Sequence, residues 1–296
     1  MPADKIAVVA SRHSAFYSPL IATLAGGFLA AEGLEASYAT LKPGQRSRTL
    51  LGSGEVDVMQ SAVGSNWGPM ESGISELPVH FAQINRRDGF FLAGREADLD
   101  FSWKKLEGRS LVADHGGQPM LMLRYAAHEQ GVNWSSIEVI DAGDPGAMDR
   151  AFREGRGDYI HQQGPAPQQL AHNGIGYVVA SVGAAMPAVA FSSLCAMPAF
   201  VESDRGRAFT RSFRKARGWV RSAPPAEVAA AEATYFPDVD ESVLATTIEA
   251  YQQLGCWDEE IAISHELYEQ ALDVFLHGRA IKQRQPYEAV VVAPPQ

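Results

Sequence analysis

Along the first two thirds of the chain, short apolar runs alternate with stretches of helical periodicity, the pattern of an α/β fold with mainly parallel strands. Lys5 to Ala10 reads as a first strand and runs into the loop Ser11 to Tyr17. Ser18 then caps a helix that begins at Pro19, with Leu20, Ile21, Leu24, Phe28 and Leu29 at helical spacings and Gly33 placed to end it in a left-handed conformation. Leu34, Ala36 and Tyr38 alternate as a second strand. A short helix through Leu50 and Leu51 closes at Gly52, and Val56 to Met59 is a third strand. Val79 to Ile84 and Phe90 to Ala93 read as two more.

The second stretch repeats the first. Ser110 to Ala113 leads through Asp114 to Gln118 into a helix starting at Pro119; Ile137 to Ile140, a helix over Met148 to Phe152, and a strand over Gly157 to Ile160 follow. From Pro19 to Asp57 is 38 positions and from Pro119 to Asp158 is 39, with one strand between and a Gly-containing turn before the last in each half. Two pseudo-equivalent lobes follow. Gly176 to Val182 closes the second, Phe191 to Met197 returns toward the first, and from Pro198 onward the pattern is helical: Phe200 to Val220, Pro225 to Tyr235, Glu241 to Leu254 and His265 to His277. The predicted organisation is residues 1–93 and 190–296 as a discontinuous first lobe, buttressed by the C-terminal helices, and 94–189 as the second. The chain crosses near Phe91 to Glu96 and Ala188 to Phe191, and only a tail follows Pro286.

Composition narrows the function. With 296 residues, 46% apolar and 20% charged, the chain is globular, and its formal charge of −10 lacks the basic footprint of a nucleic-acid binder. Any anion must be caught locally. Cys195 and Cys256 have no CxxC spacing, so neither a disulfide scaffold nor a structural zinc site is supported, though one bridge stays open. No metal site, cofactor fingerprint or phosphate loop is expected. No apolar run approaches the roughly 18 to 20 residues of a membrane span, and the start at Met1 shows no signal peptide. The expected location is therefore the periplasm if this is a mature form and the cytoplasm if Met1 is native.

The stretch Ser18-Pro19-Leu20 through Gly26-Gly27-Phe28-Leu29-Ala30-Ala31-Glu32-Gly33-Leu34-Glu35-Ala36, followed by Gly54-Glu55-Val56-Asp57-Val58, resembles the opening of solute-binding proteins of nitrate, sulfonate and taurine type. The same superfamily includes the pyrimidine-precursor proteins of thiamine metabolism. Arg87-Asp88-Gly89-Phe90-Phe91, Leu106-Glu107-Gly108-Arg109, Gly155-Arg156-Gly157-Asp158 and Pro286-Tyr287-Glu288 extend the resemblance over nearly the whole chain. It implies a type II periplasmic-binding-protein fold: two α/β lobes, two crossovers, and a ligand between them. Enzymes share this fold, and two of their signatures are missing: the loop Ser11 to Tyr17 has no nucleophilic cysteine of the desulfinase kind, and there is no Cys-rich motif of the pyrimidine-synthase kind.

In open α/β sheets, ligands sit beyond the carboxyl ends of the strands. In the first loop, Ser11, Arg12, His13, Ser14, Phe16 and Tyr17 are candidates, Arg12 to pair with an anion and the hydroxyls and imidazole to hydrogen-bond it. His115, Gly116, Gly117 and Gln118 occupy the equivalent loop, where glycine lets backbone approach a ligand. Both loops lead into helix N-termini, which favour negative charge. Gln60 and Ser61 after the third strand, His161 and Gln162 after its counterpart, and Trp67 as a stacking platform complete the set; an aromatic on a short helix is otherwise core. Asp88 is expected to pair with a neighbouring arginine. The functional reading is a solute-binding protein that closes on a small anionic or heterocyclic ligand and delivers it to an ABC permease. The alternative is a cytosolic enzyme of the same fold, of decarboxylase/lyase or pyrimidine-precursor type, with a lyase using His13, His115 or His161 as acid/base and Arg12 to hold a carboxylate; no catalytic residue is assigned.

Overall fold

The computed structural model describes residues 3–42, 44–113 and 117–296. Ten strands form two five-stranded sheets. The first sheet has the order β2 (Leu34–Thr40), β1 (Asp4–Ala10), β3 (Val58–Ser61), β10 (Ser192–Ala196), β4 (Val79–Asn85). The second runs β7 (Glu138–Ile140), β6 (Ser110–Val112), β8 (Tyr159–Gln163), β5 (Phe90–Gly94), β9 (Tyr177–Ser181). Four strands of each sheet run parallel, as the pattern predicts, and one, entered directly from a crossing between the sheets, runs against them: β10 pairs antiparallel with β3 and β4, and β5 antiparallel with β8 and β9.

The chain leaves the first sheet at Asn85 and enters the second at Phe90, so the first crossing is at residues 86–89, a few positions before the expected Phe91 to Glu96, which belongs largely to β5. The return occupies 182–191. At these joints backbone packs on backbone: a Cβ at Gly183 would collide with the Asp88 carbonyl, and one at Gly89 with the Phe16 ring. Asp88 is fully buried here, and its carboxylate accepts from the Phe90 N–H at 2.6 Å rather than pairing with arginine. The neighbouring arginines are engaged elsewhere, Arg86 with Asp258 and Arg87 with the Gly183 carbonyl.

The helices are α1 (Ser18–Ala25), α2 (Ser47–Gly52), α3 (Gly64–Glu71), α4 (Gly117–Glu129), α5 (Pro145–Arg153), α6 (Ala166–His172), α7 (Pro198–Val201), α8 (Asp204–Ser222), α9 (Pro225–Glu232), α10 (Glu241–Leu254) and α11 (His265–His277). The predicted helix from Pro19 toward Gly33 stops at Ala25, because Gly26 and Gly27 interrupt it; Gly33 (φ 74°) ends a separate short turn over Ala30–Glu32. α8 buries a stripe of Phe209, Phe213, Ala216 and Val220 at helical spacing and lies along α1, while α11 packs on α3. α10 and α11 also reach α6 and α4 beneath the second sheet. The tail is more than an appendage: Val291 bridges His80 at the edge of the first sheet. Cys195 and Cys256 are both buried and free. No helix among the described residues is long and apolar enough to cross a membrane.

One device recurs in both halves. Asp57, in the turn before β3, accepts from the Ala7 N–H of β1 at 2.8 Å, and Asp158, before β8, accepts from the Ser110 N–H of β6 at 2.8 Å. The Gly-x-x-Asp and Gly-x-Gly-Asp turns noted in the sequence thus lie just ahead of the strand, and β3 and β8 start two residues later than the apolar pattern indicates.

Candidate functional site

Two adjoining cavities open between the sheets. The larger, about 410 Å³, is lined by Ser11, Arg12, Tyr17, Gln60, Ser61, Ser65, Gly117, Gln118, Phe191 and Ser192 among others. The smaller, about 300 Å³, is lined by Arg12, His13, Ser14, Met148, Asp149, Arg153, His161, Gln162, Gly164, Asp238 and their neighbours. Arg12, Phe90 and Gln163 border both.

The loop after β1 is held in place by Gln60, whose side-chain oxygen accepts from the Ser11 N–H at 3.0 Å and the Ser11 hydroxyl at 2.8 Å. That anchorage presents Arg12 at the partition, its guanidinium 5.5 Å from the centre of the Phe90 ring. On Phe90 the His161 ring stacks at 4.5 Å with an interplanar angle of 20°. The Ser61 hydroxyl donates to Ser65 Oγ at 3.2 Å, joining the end of β3 to the start of α3.

His13 and Ser14 border the smaller cavity with their polar atoms already engaged. In the neutral ring, His13 Nε2–H donates to the Tyr235 carbonyl at 2.7 Å and Nδ1 accepts from the Tyr38 hydroxyl at 2.9 Å. Burial holds its pKa below the usual imidazole value, against the opposing effect of the Tyr235 bond. This ring is a fixed wall, poorly placed for proton transfer. The Ser14 hydroxyl donates across the lobes to the Gly164 carbonyl at 2.6 Å. Gly164 N–H donates to the Tyr251 hydroxyl at 2.8 Å, which itself donates to the Gly89 carbonyl at 2.9 Å. Gln118 spans the other side, its amide donating to the Phe191 carbonyl at 2.7 Å.

Several expectations need correction. Phe16 and Trp67 line neither cavity: Phe16 packs against Phe191 and Tyr251, and Trp67 donates to the Tyr268 hydroxyl at 2.9 Å in a buried cluster with Phe275. Gln60, Ser61, His161 and Gln162 belong to the last residues of β3 and β8, not to the loops beyond them. His115 and Gly116 lie outside the described residues. At the start of α1, Ser18 and Pro19 line neither cavity; both are buried, and the Ser18 hydroxyl donates to Glu232 at 2.8 Å. The place of the α1 start is taken by the first residues of α3, Gly64 and Ser65, opposite the expected start of α4 at Gly117 and Gln118. Gly64 lies close under Phe275, leaving no space for a Cβ. Sequence reasoning missed Ser65, Phe90, Phe191, Ser192, Asp149 and Arg153, because nothing local distinguishes a cleft-facing serine or phenylalanine from a packed one.

Two mixed α/β sheets crossed twice by the chain, with C-terminal helices on the first and a cleft between, define the type II periplasmic-binding-protein fold. The chain is similar at a TM-score of 0.75 to the periplasmic aliphatic sulphonate binding protein SsuA from Escherichia coli (14% identity, 97% of each chain covered). At a TM-score of 0.76 it is similar to a ligand-binding component of an ABC-type import system from Staphylococcus aureus with zinc bound (13% identity, 98% of this chain and 97% of that one). In sequence it is 26% identical over 291 residues to "Putative binding protein YtlA" of Bacillus subtilis (strain 168), covering 97% of this chain and 87% of that protein. No family model matches the chain.

Proposed function

We propose that the protein is a solute-binding protein that captures a small organic anion between its lobes and hands it to an ABC-type permease, which places it in the periplasm or its equivalent. The observation that carries this reading is the electrostatics of the larger cavity. Among its described lining residues Arg12 is the one charged side chain, no carboxylate is present, and the helix starts at Gly64 and Gly117 meet there from opposite sheets. The binding component of an import system and the sulphonate-binding SsuA share this fold, and YtlA bears a binding-protein name, which supports the same reading. The lobes close about residues 86–89 and 182–191, and a ligand touching both stabilises the closed state by its difference in affinity between states.

Isothermal titration with a panel of sulfonates, carboxylates and pyrimidines tests it. At least one organic anion is expected to bind at one per chain, and Arg12→Ala is expected to weaken it by about 1.5–3 kcal/mol through loss of a charged hydrogen bond. Unchanged affinity in Arg12→Ala removes Arg12 from the site. A ligand recovered chemically altered replaces binding with catalysis.

A further inference from the structure

The two cavities that meet at Arg12 and Phe90 differ in their hydrogen-bonding groups. The larger is bordered by the Arg12 guanidinium and the Ser65 hydroxyl, with the Ser11 and Ser61 hydroxyls donating to Gln60 and Ser65, and has no carboxylate among its described lining residues. The smaller, which Arg12 and Arg153 also border, adds acceptors. Asp149 and Asp238 lie in its wall, and the side-chain oxygens of Gln162 and Gln163 are buried there without a donor. The two residues are only 3% and 7% exposed. The orientation of Gln162 is set by its own amide nitrogen, which donates to the Pro145 carbonyl at 3.4 Å and leaves the oxygen as the unmatched end. Asp149 is held by Arg153 at 2.6 Å, whereas Asp238 forms no ion pair with the described residues. Buried acceptors left without a donor cost free energy that a donor arriving with a ligand recovers.

We propose that the cleft takes one bifunctional ligand: an organic acid whose far end carries a hydrogen-bond donor, with the acid held beside Arg12 in the larger cavity and the donor reaching Gln162 and Asp238 in the smaller one. This rests on reading the cleft as the solute site and goes further, since it assigns a second set of contacts to the far end of the ligand. The Arg12–Phe90–His161 stack is the partition the ligand passes. Gln162 makes the smaller cavity selective for any donor, and Asp238 for a cationic one.

Calorimetry with six probes tests this: four- and six-carbon alkanesulfonates, each unsubstituted, ω-hydroxy and ω-amino, repeated with the matching carboxylates if no sulfonate binds. In the wild type the donor-bearing member of the better-fitting length is expected to bind about tenfold or more tightly than the plain one. In Gln162→Leu that ratio is expected to fall toward one for the hydroxy compound. Asp238→Asn, at an exposed position that tolerates substitution, is expected to reduce the preference for the amine over the hydroxyl. A wild-type ratio of one or below overturns the proposal, as does a ratio that both variants leave intact. Binding of plain acids without preference overturns this proposal alone, whereas no binding by any probe, together with failure of the wider anion panel, overturns the solute-binding reading beneath it.

Discussion

Asp88 shows how one residue at a joint between lobes couples pH to stability. Burial pushes its carboxyl up to about 7 from an ordinary 3.8, against the lowering effect of the Phe90 N–H. The folded protein therefore keeps a proton that the unfolded chain releases. The stabilisation is complete below about pH 4, declines by about 1.4 kcal/mol per pH unit as pH rises toward 7, and is lost above it. Asp88→Asn keeps the acceptor for Phe90 and removes the titration. Its urea midpoint is expected to match the wild type near pH 4 and to exceed it at pH 8; a constant difference at both pH values contradicts a titrating Asp88. Residue-level legibility was uneven. Ser11 and Arg12, directly beyond β1, border the cavities because polar residues there have few other places to go, whereas Gln60 borders the larger one from within β3. Trp67 and Phe16 were not legible, since aromatic content is the same in a core and a binding wall, and only tertiary contacts with Tyr268, Phe275 and Phe191 separate them.

At the scale of elements, the repeated aspartate is the clearest link from sequence to architecture. Asp57 and Asp158 each close the third strand of a lobe onto the first by accepting a backbone N–H, and Asp57 also meets Arg205 at 3.2 Å, tying α8 to the same corner. Asp57→Ala and Asp158→Ala are each expected to cost about 1–3 kcal/mol in urea unfolding, because a partly buried N–H loses its charged acceptor. Since the sites belong to different sheets, the double variant is expected to show the sum within about 0.5 kcal/mol. A double variant no worse than either single one would mean the two turns are not independent anchors. Most strands and the helices α8 to α11 were legible from periodicity. The pattern overran α1, because Gly26 and Gly27 end it while apolar residues continue beyond them, and it began β3 and β8 early, because Val56 is buried in the turn without joining the ladder.

At the scale of the whole molecule, duplication was visible in the spacing of the two halves, and with it the two-lobed plan. The mixed sheets were not. A strand's direction depends on which sheet it joins, and β5 and β10 exchange sides only because the chain crosses at 86–89 and 182–191. That exchange makes the cleft: Phe90 at the head of β5 partitions the cavities, and Ser192 at the head of β10 borders the larger one. The Ser14–Gly164, Gly164–Tyr251 and Gln118–Phe191 bonds hold the lobes across it. Ligand closure therefore adds to contacts the protein already has, and a ligand at about a hundred times its Kd is expected to stabilise the fold by about 2.7 kcal/mol, read as a rise in the thermal midpoint. The most direct measurement is native mass spectrometry of wild type and Arg12→Ala, each purified without unfolding. The wild type is expected to carry one small organic acid per chain, released unchanged on denaturation, with far less on the variant. Equal retention by both proteins, or release of a converted molecule, would contradict an interlobe anion site built on Arg12.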